Sequence, residues 1–167
     1  MFKNDQRMSH EEFSNMYLPF SSKMYALAYN ILRNRDEARD CVQDVYAELW
    51  QRRNSIDHDK SPLPLVLTMV RNNCFDKLKR KHTENNDLTD ILLDNKTEDS
   101  INANSTLVEV MKMMSMLPKD QQIVLRLRTI DGLEIQQIEE ITHFSRENIY
   151  TLLSRARKTL RDNLKSL

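Results

Sequence analysis

Glycine is nearly absent from this chain of 167 residues, since Gly132 is the only one, and there are just four prolines. Hairpins and tight turns depend on glycine, proline and asparagine. Because glycine and proline are scarce here, the tight turns of a sheet-rich fold would be hard to form. Charged residues make up 30% and hydrophobic residues 40% of the chain, a balance typical of a soluble helical protein. We therefore predict an all-α fold.

Cysteine and histidine are also scarce. Cys41 and Cys74 lie far apart in the sequence and form no CxxC pair, and the four histidines lack ligand spacing. We expect no metal, cofactor or disulfide, and interpret both cysteines as small buried hydrophobes. Paired catalytic groups and a phosphate-binding loop are missing too, which argues against an enzyme.

Long apolar runs are missing as well. No stretch approaches the 18 or so apolar residues of a membrane span, and the N-terminal segment has no apolar signal-peptide core. We expect a cytoplasmic protein without membrane insertion.

The N-terminal half predicts three helices. Ser9 and Glu12 fit a capping box, and a first long helix follows with an interruption at Pro19. The second helix has an apolar stripe and an opposite polar face; the stripe contains Ala38, Cys41, Val42, Val45, Tyr46 and Leu49, and the polar face Asp40, Gln43, Asp44, Glu48 and Gln51.

Residues 52–64 are predicted to form a loop, because their apolar residues follow no helical spacing and the segment contains two prolines. The third helix is predicted over residues 65–81, with Leu65, Met69, Asn72, Phe75 and Leu78 along one side.

The C-terminal half is predicted to be a second small domain. Residues 83–106 are polar and without period, so we interpret them as a linker between domains at 1–82 and 107–167. Four helical patterns follow, at 107–116, 119–130, 134–142 and 146–165, with Gly132 as the C-terminal cap of the second.

The last two patterns predict a helix-turn-helix, with its turn at His143 and Phe144 and with Ser145 as N-cap. On the final helix an apolar side opposes a basic, hydrogen-bonding side: Ile149, Leu152, Leu153, Ala156 and Leu160 against Tyr150, Thr151, Ser154, Lys158 and Arg161. Such a helix can read base edges in a major groove and bind phosphates at its margins, although a plain solvated helix has a similar pattern.

Net charge is zero, but basic residues cluster in two segments. The first contains Arg71, Lys77, Lys79, Arg80 and Lys81 against one carboxylate, and the second contains Arg146, Arg155, Arg157, Lys158, Arg161 and Lys165 against two. Local patches of this kind, more than the total charge, indicate nucleic-acid binding.

Three segments together resemble one family, the extracytoplasmic-function sigma factors. DEARDCVQDVYAELW (36–50) is similar to the helix with which these proteins bind RNA polymerase, and LVLTMVRNNCFDKLKRK (65–81) to their promoter-melting helix. Residues 117–160 resemble their C-terminal helix-turn-helix. The resemblance implies a sigma factor that directs core RNA polymerase to promoter DNA, with an anti-sigma factor as a further partner.

The resemblance also implies site residues. Asp40, Gln43, Asp44 and Glu48 would face the polymerase, and Asn72 would capture a base flipped from the minus-ten strand, unless it is a buried structural asparagine. Backbone contacts would come from Arg71, Lys77, Lys79, Arg80 and Lys81, and the C-terminal contacts from Arg146, Tyr150, Thr151, Ser154, Arg155, Arg157 and Lys158.

Four residues depart from the family pattern: His143 replaces the usual turn glycine and Glu139 the usual alanine, while Leu65 stands where the family often has tryptophan and Tyr150 where it often has a basic residue. We expect a wider or strained turn, because histidine adopts a left-handed conformation less readily than glycine. The alternative function is a stand-alone helix-turn-helix regulator that binds a palindromic duplex as a dimer.

Overall fold

The structure is a computed structural model that describes residues 7–84 and 105–166 of the chain. The regular elements of these residues are all helical, which confirms the predicted fold class: α1 His10–Tyr17, a 3-10 turn Leu18–Phe20, α2 Ser21–Leu32, α3 Arg35–Arg52, α4 Pro62–Glu84, α5 Ser105–Ser115, α6 Lys119–Thr129, α7 Ile135–Thr142 and α8 Arg146–Lys165. The chain divides into two compact units, Met1–Asn86 and Asp87–Leu167. Most of the predicted linker, residues 85–104, lies outside the described residues.

Helix α1 begins at the predicted capping box. The Ser9 amide donates to Glu12 Oε2 over 2.8 Å, and the Glu12 amide donates to Ser9 Oγ over 3.2 Å, so two otherwise unpaired helix donors are satisfied. These bonds lower the pKa of Glu12. Pro19 interrupts the long first pattern as predicted, because the chain passes through the 3-10 turn before α2 begins.

Helices α2, α3 and α4 pack against one another to form the core of this unit. Each contributes one apolar stripe; the fully buried residues include Met24, Leu27, Ala28, Ile31, Ala38, Cys41, Val45, Leu49, Val66, Leu67, Val70 and Cys74. On α4 the residues that share one side in the sequence pattern do not all face the core. Met69 is buried there, but Asn72 is exposed, and Val66, Val70 and Cys74 face the core instead.

The start of α4 was predicted too late. The helix begins at Pro62 and includes Pro64, instead of starting at residue 65. Both prolines fit because the first-turn amides of a helix have no intrahelical acceptor, so a missing N–H loses no bond, and the fixed φ of proline already suits a helix.

The second unit places α7 and α8 against α6, and α5 also contacts α8. Its buried residues include Val124, Leu127, Ile138, Ile141, Ile149, Leu153 and Ala156. Gln122 is buried at the α5–α6 junction, where its Nε2 donates to the carbonyls of Ser115 (2.9 Å) and Leu117 (2.6 Å). These bonds satisfy carbonyls at and just beyond the C-terminal end of α5 and fix the start of α6.

The chain reverses after α6 at Gly132, but this glycine is not the immediate cap. The helix ends at Thr129 with Ile130 as its C-cap, and Gly132 follows with a left-handed φ of 69°. The Leu133 amide then donates to the Leu127 carbonyl over 3.0 Å. Glycine suits this position because it adopts positive φ without a Cβ clash.

Candidate nucleic-acid interface

The helix-turn-helix is built from α7, a three-residue turn and α8. His143 adopts the left-handed conformation (φ 59°, ψ 19°), and its amide donates to the Glu139 carbonyl over 2.8 Å. Ser145 accepts the Asn148 amide over 3.2 Å and caps α8 as predicted. The turn is therefore tight and not widened, and histidine occupies the strained conformation that a glycine would adopt freely.

Helix α8 has two faces, as the sequence predicted. Ile149, Leu153 and Ala156 are buried against the unit, whereas Leu152 and Leu160 are half-buried. The opposite face is exposed along its length: Tyr150, Thr151, Ser154, Arg155, Arg157, Lys158 and Arg161. Tyr150 is 56% exposed although it is large and partly apolar. This face offers hydroxyl and guanidinium groups in the first turns and cations throughout, which suits base edges and phosphates respectively.

An ion pair joins the two helices of the motif. Arg146 at the start of α8 donates from Nη2 and Nε to Glu139 Oε2 of α7, at 3.1 Å and 3.3 Å. The carboxylate that departs from the family pattern therefore engages one of the predicted DNA-binding arginines. Both side chains remain partly exposed, so we expect the pair to contribute at most about 1 kcal/mol.

Helix α3 exposes the predicted polar face. Asp40, Gln43, Asp44 and Glu48 are all exposed, opposite the buried stripe of the same helix. Asn34 caps the helix by accepting the Glu37 amide over 3.0 Å. The result is a rigid acidic surface on a well-packed helix, a suitable geometry for a basic partner.

Asn72 lies on the exposed side of α4 and is not a buried structural asparagine. Its Oδ1 accepts from Arg71 Nη1 over 3.2 Å, and the Arg71 guanidinium also lies 4.4 Å from the ring centroid of Phe75. The three side chains therefore form one small cluster of amide, cation and aromatic ring. These are the chemical groups that bind an unpaired base by hydrogen bonding and stacking.

The basic residues at the end of α4 fall into two groups. Lys79 and Arg80 are exposed, whereas Lys77 binds Asp44 over 2.8 Å and Lys81 binds Glu37. The bond to Asp44 raises the pKa of Lys77. Two predicted DNA-binding lysines are thus held by carboxylates of α3, one of which belongs to the predicted polymerase-facing set.

Sequence reasoning missed Glu37 and Phe75 as parts of these clusters. Glu37 lies 44 residues from Lys81, and no local spacing rule relates residues so far apart. Phe75 was placed on one side of α4 with Asn72, but its contact with Arg71 was not predicted; its side chain is half-buried. An arginine and an aromatic residue at i and i+4 on a helix are neighbours, and this spacing could have indicated their contact.

The described ranges, 7–84 and 105–166, contain no group of three or more His, Cys, Asp or Glu side chains that could hold a metal ion. None of their helices is both long enough and apolar enough to cross a membrane.

Comparison with known proteins gives two family matches that together cover most of the chain. Residues 16–84 match sigma-70 region 2, and residues 107–160 match sigma-70 region 4. The first match contains the acidic face of α3 and the Asn72 cluster, and the second contains the helix-turn-helix. Each candidate surface therefore lies in a segment that matches a region of sigma-70.

Relatives of similar length support the match. The chain is 24% identical to the ECF RNA polymerase sigma factor SigM of Bacillus subtilis over 92% of this chain and 94% of SigM. It is also 24% identical to SigW of the same organism, over 99% and 93% of the two chains. The sigma factor RpoE of Bartonella quintana, solved with the anti-sigma factor NepR, shares the fold with a TM-score of 0.69 and 21% identity, over 93% of this chain and 98% of that chain.

A two-part helical chain with region 2 and region 4 in this order defines a sigma-70 type transcription factor, and this chain belongs to the extracytoplasmic-function group of that family. It is an RNA polymerase sigma factor. The alternative of a stand-alone helix-turn-helix regulator is not favoured, because the region 2 match accounts for the N-terminal helices.

Proposed function

We propose that the chain uses three separate surfaces to start transcription: the acidic face of α3 for core polymerase, the Asn72 cluster for the melted minus-ten strand, and the exposed face of α8 for the minus-thirty-five duplex. The observation that carries this proposal is the segregation of α8. Ile149 and Ala156 are fully buried, while Tyr150, Thr151 and Arg155 of the same helix are exposed.

The domain assignment follows from the positions of these three surfaces along the chain. Residues 1–82 are proposed as the polymerase-binding and strand-melting domain, 83–106 as a linker and 107–167 as the duplex-reading domain. The two compact units and the two family matches support this assignment. Separate domains allow each to engage a different promoter element.

The proposed mechanism is binding and strand separation, with nucleotidyl transfer left to the polymerase, so the chain itself is not an enzyme. Opening of the duplex is favoured when an extruded base gains hydrogen bonds and stacking that the closed duplex does not offer. Asn72, Arg71 and Phe75 supply these groups, while Lys79 and Arg80 are free of the α3 ion pairs that hold Lys77 and Lys81. Arg80 and Lys79 are therefore the stronger candidates for the phosphate backbone.

An anti-sigma factor is proposed as a further partner, and the cytoplasm, where core polymerase acts, as the location. The neighbour RpoE was solved with the anti-sigma factor NepR, which supports a partner of this class. The acidic face of α3 is one surface that such a partner could cover, since covering it would also block polymerase.

Run-off transcription from a promoter library tests the proposal. We expect core polymerase to give promoter-specific transcripts only when this chain is present. Binding of a palindromic duplex by the chain alone as a dimer, with no effect on transcription by core polymerase, would instead support the stand-alone regulator.

A further inference from the structure

The two cysteines of the chain meet in the core of the N-terminal unit. Cys41 of α3 and Cys74 of α4 are separated by 33 residues in sequence, yet their Sγ atoms lie 3.3 Å apart. Both residues are fully buried, and neither is part of a disulfide. The expectation of buried cysteines is therefore confirmed, but their proximity was not foreseen.

The two sulfur atoms already lie within about 1 Å of the bonding distance. A disulfide has its sulfurs about 2.05 Å apart, so the two Sγ atoms would need to approach by roughly 1 Å. Helices α3 and α4 already pack against each other. Rotation of the two side chains with a small adjustment of the helices can supply this approach.

We propose that Cys41 and Cys74 form a reversible intramolecular disulfide when the protein is exposed to hydrogen peroxide, and that this bond lowers the transcription that the chain directs. The effect on transcription rests on the proposed function, whereas the formation of the disulfide does not. In a reducing compartment such as the cytoplasm, protein disulfides are typically transient and redox-sensing.

The chemistry needs only the two thiols and hydrogen peroxide. Cys41 first releases its thiol proton. The resulting thiolate attacks one peroxide oxygen, the O–O bond breaks, and the departing hydroxide takes up the released proton to form water, leaving a sulfenic acid. The Cys74 sulfur then attacks the Cys41 sulfur, the S–O bond breaks, and hydroxide leaves with the Cys74 proton as a second water. Two electrons pass from the sulfurs to the peroxide.

The surroundings favour Cys41 as the attacking residue. Its hydrogen bond with Cys74 and the nearby Lys77 ammonium lower the pKa of the Cys41 thiol, against opposing effects of burial and of neighbouring carboxylates. The Cys41 thiol also donates to the Val70 carbonyl over 3.7 Å, a contact that favours the protonated form and so opposes the effect of Lys77. Hydrogen peroxide is small enough to reach a buried thiol during local opening of the packed helices.

The bond would act at the junction of two proposed surfaces. Asp44 lies one helical turn beyond Cys41, and Asn72 lies two residues before Cys74 on α4. Well-packed helices transmit small shifts as rigid bodies. The part of the roughly 1 Å approach that the helices supply therefore moves the polymerase-facing residues relative to the strand-binding cluster.

The first test is chemical. The reduced full-length chain is treated with hydrogen peroxide in native buffer, then unfolded and alkylated, and its intact mass is measured. We expect a monomer that has lost two hydrogen atoms, takes up no alkylating agent and yields a peptide linked through Cys41 and Cys74. Dithiothreitol should restore both thiols.

Matched variants with one cysteine each test whether both thiols are needed for the internal disulfide. Cys41→Ser and Cys74→Ser should each keep one alkylatable thiol and form no internal bond, with Cys41→Ala and Cys74→Ala as substitutes if circular dichroism shows that serine disturbs the fold. Two intact thiols in the treated wild type, oxygen addition without a crosslink, or disulfide-linked dimers would each overturn the proposal.

The second test is functional. Run-off transcription compares reduced and oxidised chain after the peroxide is removed and before untreated core polymerase is added. We expect oxidation to lower transcription roughly five-fold or more, dithiothreitol to restore it, and Cys74→Ser to be insensitive. Equal transcription by the verified disulfide form would overturn the switch. If the reduced chain itself directs no transcription, the proposed function and the switch both fail, and the mass measurement alone decides the disulfide.

Discussion

Lys77 Nζ of α4 lies 2.8 Å from Asp44 Oδ2 of α3, so one ion pair joins the helix proposed to bind promoter DNA to the helix proposed to bind polymerase. Asp44 is half exposed and Lys77 is less so. A basic group of the polymerase that approaches Asp44 would compete with Lys77 for the same carboxylate. The two surfaces are therefore adjacent and electrostatically coupled.

The first prediction concerns the polymerase surface. Replacing Gln43 by Ala together with Asp44→Lys should abolish co-purification with core polymerase, because an exposed acidic face becomes basic opposite its partner. The fold should persist, since a partly exposed ion pair contributes only about 0–1 kcal/mol. Asp59→Lys in the exposed α3–α4 loop makes the same charge change and should leave co-purification intact. Normal polymerase binding by the double variant, with unchanged helicity, would refute the assignment.

The second prediction concerns the turn of the helix-turn-helix. His143→Gly should stabilise the C-terminal unit, because a left-handed conformation costs a residue with a Cβ roughly 1 kcal/mol or more, partly offset by the entropy of glycine when unfolded. His143→Ala should not stabilise it, since alanine keeps the strained φ. Urea denaturation of the wild type and the two variants gives their free energies of unfolding and so their order of stability. A glycine variant no more stable than the wild type would show that the turn holds no such strain.

The third prediction concerns the Glu139–Arg146 ion pair. Glu139→Gln should free the arginine and remove a negative charge near the DNA-facing helix, so affinity for duplex promoter DNA should rise. If Arg146 then reaches a phosphate, the salt dependence should steepen by close to one counterion. Binding isotherms at several salt concentrations measure both effects. Unchanged affinity and slope would mean that Arg146 does not contact DNA.

The fourth prediction separates specificity from affinity on α8. Arg155→Ala should relax preference at one or two bases of the minus-thirty-five element and cost roughly 1 to 3 kcal/mol if the guanidinium makes a bidentate base contact. Lys158→Ala should weaken binding about equally for all sequences and flatten the salt dependence. A promoter panel with single base changes distinguishes the two. Equal loss for every sequence with Arg155→Ala would reassign that residue to the backbone.

The sequence predicted the elements whose signals are local. The Ser9–Glu12 capping box, the Ser145 N-cap and the two faces of α8 each depend on residues within one or two helical turns, and the structure contains all of them. The start of α4 was misplaced because prolines were interpreted as loop formers, although proline is well suited to a first helical turn.

Contacts between helices could not be predicted in the same way. The Cys41–Cys74 contact and the Asp44–Lys77 pair each join residues about 33 positions apart, and they depend on how α3 and α4 pack. Periodicity identified the buried sides of α3 and α8, but it does not show which residue of another helix lies opposite. The family resemblance indicated the polar surfaces, yet it did not show that two lysines assigned to DNA are paired with carboxylates of α3.

Permanganate probing of unpaired thymines tests the central claim most directly, since that claim assigns strand melting and duplex reading to different units. One promoter from the library is saturated with polymerase carrying wild-type chain, Asn72→Ala or Arg155→Ala. Occupancy is checked by footprinting. We predict that Arg155→Ala melts the promoter once it is occupied, whereas Asn72→Ala occupies it but leaves the minus-ten thymines largely unreactive. Full reactivity with Asn72→Ala at equal occupancy would contradict the account.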